Sequence, residues 1–147
     1  MEKDVLHKEI DLIQACITRM ANNSFLLKGW TITIVAVVLA LADKSIDPAL
    51  LSSLVLIPLF SFWYLDTFFL RTEKMYRKMY EWVLEKRCQD DNTYLYDLNP
   101  HRFKDKVDST RKVMFSVTLR WFYGVPALIT IGVIVYRVVK EYLLKGA

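Results

Sequence analysis

Glycine and proline are scarce, with four of each in 147 residues. That excludes a collagen-like chain and argues against a loop-rich or many-turned β protein. Cysteine is rarer still: only Cys16 and Cys88. No CxxC and no Cys/His spacing exists, and His7 and His101 stand alone. Neither a disulfide nor a metal site is expected, and both thiols read as reduced and structural. The chain has no Gly-rich phosphate loop, no HExxH and no GxSxG. An enzyme is therefore not expected, nor any cofactor. Asn99-Pro100-His101 reads only as a turn with one histidine.

What the chain has is apolar residues, 54% of the total, with a mean hydropathy of +0.21. They come in blocks, the pattern of a membrane protein. The expected fold class is all-α: a single membrane domain over 1–147, three transmembrane helices, an N-terminal amphipathic helix and helical cytoplasmic extensions.

Residues 3–22 read as the amphipathic helix. Leu6, Ile10, Ile13, Ile17 and Met20 recur in steps of four and three. Glu2, Asp4, Lys8, Glu9, Asp11 and Arg19 are assigned to other faces. The stripe fits a helix packed on its own protein or one lying on a membrane. Acids balance bases on the polar face, which favours the first. The polar triplet Asn22-Asn23-Ser24 is expected to end this helix and cap the next.

The first apolar block is 25–42, interrupted by Lys28, which can snorkel toward headgroups. Ala40-Leu41-Ala42 has the look of a signal cleavage site, but the long acid-containing segment before it is not a basic n-region. A polar link with one lysine follows, and Asp47-Pro48 reads as a helix start. The second block, 49–70, carries only Asp66 and a proline, Pro58, expected to kink it. It is expected to continue as a charged helix to residue 87, with Met75, Met79 and Trp82 marking one stripe. The stripe Leu6, Ile10, Ile13, Ile17, Met20 is expected to pack against that second stripe, within or between protomers. Residues 90–112 form a connector. The third block, 114–139, contains Arg120. It reads as a span, with a re-entrant hairpin around Gly124 and Pro126 as the competing form. Trp30, Trp63, Tyr64 and Trp121 are expected as interface anchors.

Charge is uneven. Residues 71–112 hold eleven Lys/Arg and eight acids, while the link holds one basic residue. This asymmetry is a topology signal rather than a nucleic-acid footprint, so no nucleic-acid partner is expected. It places the N-terminus and residues 71–112 on the cytoplasmic side of a plasma membrane. Asp66, Lys28 and Arg120 then sit one per span at similar depth. They read as a structural ion-pair cluster, and also as a candidate gate. Three spans cannot easily enclose an aqueous path, so conduction requires a homo-oligomer in the bilayer.

The run Arg19-Met20-Ala21-Asn22-Asn23-Ser24-Phe25-Leu26-Leu27-Lys28-Gly29-Trp30 carries a resemblance. So do Phe62-Trp63-Tyr64-Leu65-Asp66-Thr67-Phe68-Phe69-Leu70-Arg71 and Tyr76-Arg77-Lys78-Met79-Tyr80. Over residues 5–85 the layout resembles small bacterial membrane proteins of the SLATT-like type. The resemblance implies a two-span effector encoded beside nucleotide-signalling or TIR-type defence proteins. It also implies pore formation or membrane disruption during phage infection, an abortive-infection role. The third block lies outside that two-span layout. The alternative function is a membrane anchor that docks a soluble signalling or defence partner through the cytoplasmic helices.

Overall fold

A computed structural model describes residues 3–41 and 48–145. The expected Asp47 cap and the polar link before it lie outside the described residues. The described residues are all helical or irregular, with no strand among them. Helix α1 is Lys3–Leu41 and α2 is Pro48–Cys88. At 1.5 Å per residue each is about 60 Å long. A 3₁₀ helix, Pro100–Lys106, is followed by α3, Thr110–Met114. Short α4, Val117–Leu119, leads into a π-helical turn, Arg120–Gly124, and then α5, Val125–Lys145.

Two expected boundaries change and one holds. The break at Asn22-Asn23-Ser24 is absent, and α1 runs through it. Asn and Ser favour caps because their side chains compete for nearby backbone. Ser24 is buried and donates instead to the Asp66 carboxyl at 2.5 Å, which removes that competition. The remaining propensity cost, about 0.7 kcal/mol per residue or less, is small against a 39-residue helix. The expected stop at 90–92 falls where α2 ends, after Cys88. Asp90 adopts φ 55°. Its N–H bonds the Arg87 carbonyl at 3.2 Å, and the Asp91 N–H bonds that of Lys86 at 3.1 Å. This is a Schellman closure with aspartate in the left-handed position usually held by glycine. The third block is not one continuous helix. It breaks between α3 and α4 and passes through the π-helical turn.

The chain divides into two compact units. The first comprises residues 1–25 and 66–113, and the second 26–65 and 114–147. The core of the first is Ile13, Cys16, Met75, Tyr76, Met79, Val83 and Phe103, with Ile17, Met20 and Trp82 packed against it. The two sequence stripes therefore meet within one chain. Leu6 and Ile10 are half-buried and stand outside that cluster.

In the second unit, Trp63 is the centre of packing. Its ring stacks on Tyr123 at 6.2 Å and meets Phe115 edge-on at 5.8 Å. Its indole N–H donates to the Met114 carbonyl at 2.9 Å, at the broken end of α3. Tyr123 belongs to the π-helical turn and is fully buried. The extra residue of a π turn re-aims the side chains around it. Here it coincides with the placement of Tyr123 against Trp63. Pro58 is accommodated inside α2. It lines an apolar crevice with Thr31, Val55 and Phe62 that has no room for water.

Candidate functional site

The first unit holds two buried polar centres. One is built on a charge from each long helix. Glu9 lies one turn before Ile13, and Arg87 one turn after Val83. Both therefore fall in register with the buried stripes. The Arg87 side chain is 1% exposed and that of Glu9 2%. The guanidinium grips the carboxylate with two parallel bonds, Nε to Oε2 at 2.9 Å and Nη2 to Oε1 at 2.8 Å. Its Nη1 donates to the carbonyls of Asp91 and Thr93. Four of the five guanidinium donor positions are thus used. Glu9 also receives the Tyr96 backbone N–H at 3.2 Å. Two helices and the loop after α2 are held by one ion pair.

That loop is strained and internally stitched. Tyr94 and Tyr96 adopt φ 59° and 58°, a region that bulky residues rarely enter and that costs about 1–3 kcal/mol each. Asp91, Asp97 and Asn99 each accept the backbone N–H two residues on, at 2.9, 3.0 and 3.1 Å. These local bonds and the Tyr96–Glu9 bond offset the strain. The Thr93 hydroxyl and backbone N–H, with Lys86, hold the Asp91 carboxyl below its ordinary range. Arg102 lies over the Tyr94 ring at 4.0 Å and near those of Trp82 and Phe103. Asp97 approaches its Nε at 3.4 Å. The Tyr76 hydroxyl donates to the Leu98 carbonyl at 3.3 Å. Burial pushes its phenol upward, with Cys16 beside it adding to the shift.

The second polar centre is Asp66. It and Thr67 are fully buried, and its carboxyl accepts the Ser24 hydroxyl. Of the other two charges singled out with it, Lys28 is half-buried on α1, one turn after Ser24, and Arg120 is exposed at the start of the π-helical turn.

The aromatic anchors separate. Trp30, Tyr64 and Trp121 are exposed. Trp63 is buried, with its ring packed among Tyr123, Phe115 and Phe60. Glu9 also moves from the polar face to the core. Neither Glu9 nor Arg87 was selected from the sequence. Their signal was register: each lies four residues from a core position, Ile13 or Val83. Cys16 is buried and Cys88 exposed, both as free thiols. Among the described residues, no three His, Cys, Asp or Glu side chains converge as a metal site.

No family model matches the chain, no curated protein matches it, and no solved structure matches it.

Proposed function

We propose that the chain is an integral membrane protein of three spans. In this reading residues 25–42, 49–70 and 114–139 cross the bilayer, and residues 3–22 and 71–112 lie on the cytoplasmic side. The observation that carries the reading is the outward face of the apolar unit. Trp30, Ile57, Val117, Leu128 and Ile129 are each more than 60% exposed. Water would make such a surface costly, at about 25 cal/mol per Å². Hydrocarbon removes that cost. Among the described residues, one helical stretch is long and apolar enough to cross a membrane, Ser52–Cys88, and only 28% of its apolar window is buried. The charge asymmetry supports the cytoplasmic placement of residues 71–112.

The function we infer is that of a homo-oligomeric effector. It permeabilises or depolarises the bacterial inner membrane when triggered in anti-phage defence. The SLATT-like layout of residues 5–85 supports this, and Asp66, buried and bonded to Ser24 of the other long helix, would serve as the gating carboxyl. Induced expression in bacteria carrying a membrane-potential dye tests it. Depolarisation within minutes of induction, lost in Asp66→Leu, is the expected result. Cells that hold full potential at high membrane levels of the protein would contradict it.

A docking role has one supporting observation. Gln14, Ile17, Thr18, Arg77, Tyr80 and Glu81 line an open cavity of about 480 Å³ on the first unit. A soluble partner held there would leave membrane potential unchanged and co-purify with the chain.

A further inference from the structure

The segment from the 3₁₀ helix into α3 is basic and exposed. Lys104, Lys106, Arg111 and Lys112 all face solvent. Among the described residues, Lys104, Lys106 and Arg111 enter no ion pair. The acids nearby do little to cancel them. Asp108 is already neutralised by Lys112 at 2.7 Å and Lys74 at 3.0 Å. Asp105 is exposed and, among the described residues, enters no ion pair.

Two separate restraints fix where this segment lies along the chain's path. Arg71, the first residue after the apolar run 49–70, donates Nε to the Asp108 carbonyl at 3.1 Å and Nη2 to the Lys104 carbonyl at 3.2 Å. That pins the backbone of 104–108 beside the end of one apolar run. At the other end, Lys112 is two residues from Met114, where the next apolar run begins. Two residues of chain reach at most about 7 Å. The basic segment is therefore tied at both ends to places where the chain enters or leaves an apolar run.

We propose that Lys104, Lys106 and Arg111 form a binding surface for anionic phospholipid headgroups. The inference rests on the membrane reading above. Juxtamembrane basic side chains gain affinity because the anionic leaflet concentrates phosphate within a Debye length of them. Phe103 and Val107 anchor the segment to the core, so it is presented on a fixed backbone. The Lys106 ammonium is held 5.5 Å above the Phe103 ring. Three cations that enter no ion pair among the described residues, on a segment tied in the chain to the ends of two apolar runs, match phosphodiester headgroups in charge.

The test uses the full-length protein. Alkaline carbonate washing of membranes comes first. Release into the supernatant overturns the membrane reading and this inference together; retention in the pellet isolates the lipid question. The protein in neutral detergent micelles is then titrated with phosphatidylglycerol, phosphatidylcholine or inorganic phosphate, and its thermal midpoint is followed. Phosphatidylglycerol should raise the midpoint, and the other two should not. Lys104→Gln, Lys106→Gln and Arg111→Gln together should raise the half-saturating phosphatidylglycerol concentration at least ~10-fold, since each basic residue is worth roughly five-fold. Lys104→Arg, Lys106→Arg and Arg111→Lys together should titrate as wild type. A Gln variant that titrates like wild type overturns the proposal. So does equal stabilisation by phosphatidylcholine. Equal stabilisation by inorganic phosphate also overturns it, as a soluble-anion site.

Discussion

Glu9 and Arg87 show what a single buried pair does in this chain. Removing one partner strands the other charge in the core. Glu9→Gln should therefore lower stability by about 3–5 kcal/mol. Glu9→Leu combined with Arg87→Met should recover part of that loss, because neither charge is then stranded. Thermal or denaturant unfolding of the three variants reads this directly; a fully stable Glu9→Gln would mean that water reaches Arg87. Asp108 makes a prediction of a different kind. Lys112 and Lys74 hold its carboxyl below the ordinary value of 3.8, and its presence raises that of Lys112. A depressed carboxyl contributes stability above its unfolded pKa and loses it as pH falls through the folded one. Wild type should thus be more stable than Asp108→Asn at pH 6, with the difference vanishing as pH falls below about 4. Thermal midpoints of both proteins across that range check the sign; a gap that widens in acid would contradict it.

At the scale of elements, α1 and α2 meet through the stripes that periodicity had marked. Ile13 is 1% exposed and Met79 wholly buried. Ile13→Asp would place a carboxylate against Met75, Met79 and Val83, at a cost of several kcal/mol. The expected outcome is loss of the folded helical layer, seen as a shift to aggregate on size exclusion and a lowered melting point. A variant with normal elution and melting would place that helix face in solvent. The stripes were legible because their spacing repeats over several turns. The break at Asn22-Asn23-Ser24 was misread because capping residues signal a helix end only when their side chains are not taken by a partner 42 residues away. The π-helical turn left no periodic trace: Arg120, Gly124 and Pro126 marked irregularity there, but not its form. Glu9 was overlooked because charge alone assigned it to the polar face, and Arg87 because it was read only as one of the basic residues of 71–112.

Across the whole molecule, composition was the most readable level. Apolar blocks and charge asymmetry point to lipid, and among the described residues one helical stretch is long and apolar enough to cross a membrane. The spans and their sidedness are the central claim. Cysteine labelling in intact cells tests it most directly. Ser45→Cys and Asn92→Cys are each placed in a background with Cys16→Ser and Cys88→Ser, and a membrane-impermeant maleimide is applied. The account predicts that Ser45→Cys labels from outside, while Asn92→Cys labels only after the membrane is opened. Labelling of Asn92→Cys but not Ser45→Cys in intact cells would contradict the topology. A chain recovered in the soluble fraction, with both positions shielded until lysis, would contradict the membrane claim itself.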